Sequence, residues 1–312
     1  MFEGSHMAMY EACLIIKVRF YLLSVYICDT EDIGDIMKLA FSSNAFKAYS
    51  LEASIKEIRA IGYEGVEILC DYPHAYPPDM TLDKVAALKA SLIENHLNIS
   101  NLNAFSLYAI NDVYHPSWID PSVKQRKLRI QHTANCIRLA SELGAKSLST
   151  EPGGTSDKNR DSIQDLMKIF AKGISEVAVE AEKNNVMILV EPEPNLLLET
   201  SKDFLEFIKE INSSHVGLNF DIGHFFCVRE DPSEIVYKLA DFIGHIHLAD
   251  IADNRIHNHL IPGEGAINFR AVLKAISDIG YNGFITVELY PYQHDPIYAA
   301  KEAYNYLNSI IH

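Results

Sequence analysis

Residues 38–46 read Lys38-Leu39-Ala40-Phe41-Ser42-Ser43-Asn44-Ala45-Phe46, a short apolar run followed by a turn without a single glycine. An open doubly wound sheet places a glycine-rich phosphate turn after its first strand. Its absence here leaves the closed barrel as the better reading of an alternating β/α chain. Seven more β-like runs follow: Gly65–Leu69, Asn98–Asn103, Ala145–Thr150, Val186–Glu191, Val216–Asp221, Ile243–Leu248 and Phe284–Glu288. Most are apolar over four to six residues, as expected of parallel strands covered on both faces. Helical patterns separate them, at Ser54–Ile61, Thr81–Asn95, Pro121–Leu143, Ser162–Lys183, Ser201–Asn212, Pro232–Phe242, Asn268–Ile279 and Pro296–Ile310. Ile163, Leu166, Met167, Phe170 and Ile174 illustrate their three- and four-residue apolar spacing.

The joints agree with this reading. Gly62-Tyr63-Glu64-Gly65 and Gly280-Tyr281-Asn282-Gly283 each end a helix and launch a strand, so one αβ turn is used twice. Eight such units over about 275 residues match the size of a (β/α)8 TIM barrel. The barrel is expected from residue 37 onward. Residues 1–36 contain Gly4-Ser5-His6-Met7, the form left by an expression tag, and read as tag plus an N-terminal extension. The apolar stretch from Ala12 to Cys28 is broken by Lys17 and Arg19, which argues against a signal peptide.

Composition narrows the function. Forty-two acidic against 27 basic residues give a formal charge of −15, with no basic run, which argues against nucleic acid as a partner. No stretch of 18 apolar residues suggests a membrane span. Five cysteines (Cys13, Cys28, Cys70, Cys136, Cys227) lie at irregular spacing without CxxC, the usage of a reduced cytoplasmic protein. Oligomeric state stays open, a homo-oligomer included.

The chemistry is carried by what ends the later strands. Four consecutive ones close on Glu191, Asp221, His247 and Glu288, each after a run the barrel would bury. In a (β/α)8 barrel these ends build the active site. Three buried carboxylates converging there would repel one another, and a divalent cation resolves the conflict. Three carboxylates and an imidazole suit Mn2+ first, then Zn2+ or Co2+, and Mg2+ less well. Glu151, His224, His257 and His259 are further ligand-type residues nearby, able to serve a second metal or a substrate. His245 shares the side of its strand with His247, one layer deeper, and is expected to be structural. Asn44, Glu67, His74, Asn103 and Arg255 are candidate substrate contacts, and the Tyr- and Pro-rich segment 71–78 could wall the site, as could Tyr114 and Trp118. No Arg/Lys cluster marks a phosphate pocket, which favours an unphosphorylated sugar or cyclitol.

Glu191-Pro192-x-x-Asn195, Asp221-x-x-His224, Gly244-His245-Ile246-His247, Pro262-Gly263-Glu264-Gly265 and Glu288 together resemble the xylose isomerase-like barrel superfamily over residues 37–310. That superfamily holds sugar isomerases and epimerases, inosose dehydratases and apurinic-site endonucleases. The resemblance implies that Glu191, Asp221, His247 and Glu288 bind a metal, as in the ketose 3-epimerases. It implies that Glu191 and Glu288 flank the substrate carbon as an acid/base pair, and that His224 touches the substrate. The implied reaction removes a proton next to a carbonyl through a metal-stabilised enediolate. The chain departs from the epimerases in carrying Asp253 six residues after the ligand histidine, where they have arginine; Arg255 follows two later. The endonucleases place extra zinc ligands at the positions of His257, His259 and Glu151, but their third-strand histidine is Asn103 here. A dehydratase, a multi-zinc hydrolase or endonuclease, and a non-catalytic metal-binding barrel remain the alternatives to an isomerase or epimerase.

Overall fold

The computed structural model describes residues 37–155 and 162–311, and the expectations for residues 1–36 lie outside them. Eight parallel strands close into one barrel in sequence order, each paired with its neighbours and the last with the first. They are β1 (Lys38–Ser42), β2 (Gly65–Leu69), β3 (Asn98–Asn103), β4 (Ser147–Thr150), β5 (Met187–Val190), β6 (Val216–Asp221), β7 (Ile243–Leu248) and β8 (Phe284–Val287). β5 and β8 end one residue earlier than the apolar runs suggest, because Glu191 and Glu288 lie just past the last paired residue, and β4 and β5 begin later, at Ser147 and Met187.

Around them run α1 (Leu51–Ile61), α2 (Leu82–Glu94), α3 (Val123–Leu143), α4 (Ile163–Asn184), α5 (Ser201–Ile208), α6 (Ile222–Cys227), α7 (Pro232–Leu239), α8 (Phe269–Asp278) and α9 (Pro296–Ile311). Side-chain caps start several of them, as where Ser50 accepts from Ala53 N and Ser162 from Asp165 N. Gly62 and Gly280 both hold positive φ, at 129° and 68°, as the repeated joint requires. Gly62 is needed twice over, since a Cβ there would meet the Tyr304 ring at 2.5 Å. The short helix α6 has no counterpart in the apolar periodicity. It forms because Asp221 caps it, accepting from His224 N. No helix among the described residues is long and apolar enough to cross a membrane.

The fold packs two cores. Between strands and helices, Phe41, Ile68, Leu102, Leu148, Phe170, Phe204, Leu218, Ile246 and Val287 are all fully buried. Inside the barrel the belt is polar. Side chains alternate across a strand, so Glu67, Asn101, Asn103, Ser149, Asn219, Asp221, His245, His247 and Thr286 meet there, all buried. Most are satisfied within the belt, as where Ser147 Oγ donates to Asn101 Oδ1 at 2.8 Å and Asn101 Nδ2 donates to Ser149 Oγ at 3.1 Å, while Asn219 Oδ1, Asp221 Oδ2 and His245 Nε2 have no partner. Buried polar groups left without partners would cost about 1–3 kcal/mol each, so this belt holds only as a network.

One buried cation shapes the rim. Arg129 of α3 donates to the carbonyls of Pro116 and Phe105, both at 2.8 Å, and lies 3.6 Å from Glu151. It thereby fastens the segment after β3 to the barrel.

Candidate metal centre and pocket

His247 is the hub. Its Nδ1 lies 3.0 Å from Glu191 Oε1, 3.7 Å from Glu288 Oε2 and 3.9 Å from Asp221 Oδ2. One ligand-type atom from each of Glu191, Asp221, His247 and Glu288 lies within 4.8 Å of all the others. Atoms bound at about 2.2 Å to one ion are at most roughly 4.4 Å apart, so this set closes on a cation with small adjustments. Asp221 supplies an independent sign. Its Oδ1 accepts from His224 N at 2.8 Å, while the buried Oδ2 has no hydrogen-bond partner. An orphaned carboxylate oxygen facing three ligand-type side chains fits a divalent cation.

The other face of His247 is held by Glu67. His247 Nε2 donates to Glu67 Oε2 at 2.7 Å, which leaves Nδ1 facing the carboxylates of Glu191, Asp221 and Glu288. Burial would raise the pKa of Glu67, but the charges and hydrogen bonds of His247 outweigh it and hold Glu67 at about 2. His247 moves the opposite way. Burial opposes its charge, yet Glu67, Glu191 and Glu288 together push its pKa well above the usual histidine value. Burial, joined by the charges of Glu191, Glu67 and Asp221, pushes Glu288 well above the carboxylate range despite His247. Without a cation the cluster therefore keeps protons that a metal would displace.

Asn219 and two further asparagines set the carboxylates. Asn219 Nδ2 donates to Glu191 Oε2 at 2.8 Å. Asn44 Nδ2 and Asn103 Nδ2 donate to Glu288 Oε1 at 2.8 and 3.2 Å. Each glutamate is thus tied to asparagine through one oxygen, while its other oxygen faces His247, Glu191 Oε1 at 3.0 Å and Glu288 Oε2 at 3.7 Å.

Next to this centre stand three histidines. His257 Nε2 lies 3.0 Å from His224 Nε2 and 3.3 Å from His259 Nε2. His224 Nδ1 donates to Pro192 O and His259 Nδ1 to Glu288 O, which turns both Nε2 lone pairs toward His257. Burial lowers all three pKa values, to about 4 for His224 and about 3 for His257, so the rings are neutral. Glu193, beside them, accepts from Tyr114 Oη at 2.8 Å, and burial lifts its pKa to about 8.

Above the carboxylates opens a cavity lined by Asn44, Lys47, Asn103, Phe105, Tyr108, Tyr114, Glu191, Glu193, His224, His257, Glu288, Tyr290 and Gln293. Of the expected substrate contacts, Asn44 and Asn103 line it. Three others do not. Glu67 is fully buried beneath His247 and accepts from four donors. His74 is spent on Ser43 Oγ at 3.1 Å and Tyr49 O at 3.3 Å. Arg255 lies with its guanidinium 3.9 Å over the Phe226 ring and donates to Phe226 O. Glu151, expected near the second metal, faces Arg129 and Trp118 N instead, and is absent from the histidine cluster. Burial raises its pKa to about 7 against the pull of Arg129. His245 sits one layer down, 3.8 Å from Glu67 Oε2. The wall comes from the segment after β3, with Tyr114, rather than from residues 71–78. Trp118 is core, its Nε1 donating to Thr150 Oγ1.

Glu67 yields a sharp expectation. All four groups aimed at it (Ser42 Oγ, Asn101 Nδ2, Asn103 Nδ2 and His247 Nε2) are donors. Glu67→Gln places an NH2 among donors and removes the charge that orients His247. Metal affinity should fall about 10- to 100-fold, measured by calorimetric titration of metal-free protein with Mn2+. Unchanged affinity would remove Glu67 from the centre.

A family profile described as xylose isomerase-like TIM barrel matches residues 55–310. An uncharacterized protein of Methanocaldococcus jannaschii is 30% identical over 260 residues, covering 81% of this chain and 83% of its own. The fructoselysine 3-epimerase of Shigella flexneri is 24% identical over 272 residues, covering 86% and 95%. The crystal structure of a D-tagatose 3-epimerase-like protein superposes with a TM-score of 0.72 at 25% identity, covering 88% of this chain and 98% of that one.

Proposed function

The chain belongs to the xylose isomerase-like TIM barrel family, and from that premise we propose that it is a divalent-metal-dependent isomerase or epimerase of a small sugar or cyclitol. The observation that carries this reading is the convergence of Glu191, Asp221, His247 and Glu288, two of which, Glu191 and Glu288, line the cavity, with Asp221 Oδ2 unpartnered. Glu191, Asp221, His247 and Glu288 would hold the ion. Mn2+ is the first choice, and Zn2+, Co2+ or Mg2+ follow. When bound, a divalent cation supplies Lewis acidity that acidifies a C–H next to a carbonyl.

The chain's own residues do the rest. Glu191 and Glu288 come from strands on different sides of the barrel mouth, and each keeps one oxygen clear of its asparagine clamp. One removes the proton and the other returns one, to the same carbon in an epimerase or to its neighbour in an isomerase. His224, in the cavity wall, would meet a substrate hydroxyl, and Asn44 and Asn103 keep Glu288 aimed. Phe105, Tyr108 and Tyr290 give apolar faces to the C–H surface of a polyol and limit water.

The test is isotope exchange. Mn2+-loaded protein incubated in D2O with a panel of ketoses and inososes should place deuterium on the carbon beside the carbonyl. No exchange and no turnover with any of them would overturn the proposal.

The three facing Nε2 atoms of His224, His257 and His259 support a second reading, a second metal serving a dehydratase or hydrolytic reaction. Metal stoichiometry separates the two. The acidic balance disfavours nucleic acid as substrate, and Cys70, Cys136 and Cys227, free among the described residues, favour a cytoplasmic setting.

A further inference from the structure

Lys47 is the one Lys or Arg among the described residues that line the cavity. The one-turn helix Ser43–Ala45 after β1 places it three residues beyond Asn44, which reaches the Glu288 carboxylate that Lys47 does not pair with. Its Nζ rests 4.4 Å above the centroid of the Tyr108 ring. That ring is held in place by Asp71. Asp71 accepts from Ser106 Oγ at 3.0 Å, from Ala109 N at 2.9 Å, from Tyr72 N at 2.8 Å and from Tyr108 N.

These bonds decide what Lys47 lacks. Asp71 is the largest source of favourable field at Lys47, followed by Glu288. Yet Asp71 spends both oxygens on the loop, and Glu288 Oε1 is taken by Asn44 and Asn103. No carboxylate among the described residues comes within ion-pair distance of Lys47. The ammonium is half-buried, and burial lowers its pKa against those two fields. It has given up part of its water for an aromatic face and no oxygen acceptor.

We propose that Lys47 is the counter-ion for an anionic substituent, carboxylate or phosphate, carried by the substrate away from its reacting carbons. Lys47 then selects sugar acids or sugar phosphates over neutral polyols. This rests on the sugar isomerase or epimerase reading and departs from the sequence-based expectation of an unphosphorylated substrate. The remainder of the lining, Glu191, Glu193 and Glu288 included, offers no second Lys or Arg to an anion. A charged group is therefore matched at the Lys47 end, which fixes the direction in which the substrate lies. Tyr108 backs the ammonium, so the side chain need not be ordered anew on binding.

The experiment uses the full chain loaded with Mn2+ and three compounds differing only at C6: D-fructose, D-fructuronate and D-fructose 6-phosphate. Calorimetric titration should show one of the anions binding about ten-fold or more tighter than fructose. The preference should shrink with added salt, vanish in Lys47→Met and persist in Lys47→Arg. Preference for the carboxylate or for the phosphate identifies which anion the site takes. Equal binding of all three, or a preference that survives Lys47→Met, overturns the role of Lys47 and leaves the metal-centred reading standing. Failure of all three to bind, fructose included, overturns the ketose reading and this inference with it.

Discussion

Glu288→Gln, saturated with Mn2+, should lose roughly 10^2- to 10^4-fold in turnover while remaining folded, and Glu191→Gln should do the same. The amide keeps the shape of the carboxylate, and its carbonyl can still accept from Asn44 and Asn103 at the position of Glu288 Oε1. What it cannot do is take a proton. Asn219 offers the same protection to a glutamine at 191 through its bond to Oε2. The two variants should differ in isotope exchange. If one glutamate abstracts and the other returns the proton, one variant stops deuterium entry altogether. The other permits exchange without a net product. Turnover within ten-fold of the parent in both variants would remove the acid/base pair and leave a metal-binding barrel without this chemistry.

How legible that pair was depends on where a residue sits in its strand. β1, β2, β3, β6 and β7 have the bounds their apolar runs predict. Val216–Asp221 is buried throughout and Ile243–Leu248 over its last four residues, so each reads as a run covered on both faces. The four charged strand ends stood out for the same reason, since each interrupts a run that has no solvent to face. Asn219 and Asp71 carried no comparable signal. An asparagine inside a strand, or an aspartate after one, reads as an ordinary polar residue until the donors around it are placed. Glu67 misled for a related reason. Its position in β2 points into the barrel as expected, but one layer too deep to meet a substrate, and its neighbours His247, Asn101 and Ser42 come from three other strands. Arg255 and Glu151 were drawn away by partners distant in sequence, Phe226 and Arg129. Lys47 carried no signal in the sequence, because the loop that carries Tyr108 lies about 60 residues later.

Removing the metal is the second change with a large expected effect. Protein stripped by chelation should lose activity and regain it with Mn2+, and the binding should release protons. The sign follows from the cluster itself. In the metal-free state His247 and Glu288 both hold protons more tightly than usual, His247 through Glu67, Glu191 and Glu288 overcoming its burial, and Glu288 through burial and its neighbouring carboxylates. A cation must displace those protons, so affinity rises with pH until both groups are free, and falls as either one protonates. Calorimetry in buffers of different ionisation enthalpy measures the number released. Elemental analysis of the reloaded protein then counts the ions. One per chain assigns the reaction to Glu191, Asp221, His247 and Glu288 alone, with His224, His257 and His259 left as neutral rings that can meet substrate. Two per chain, reduced to one by His259→Ala, would bring the histidine cluster into the chemistry. His259 is the suitable position to vary, since its Nδ1 is anchored on the backbone carbonyl of Glu288 rather than on the carboxylate that must turn over. No ion bound after reconstitution, at any pH, would remove the premise on which both glutamates were given their roles.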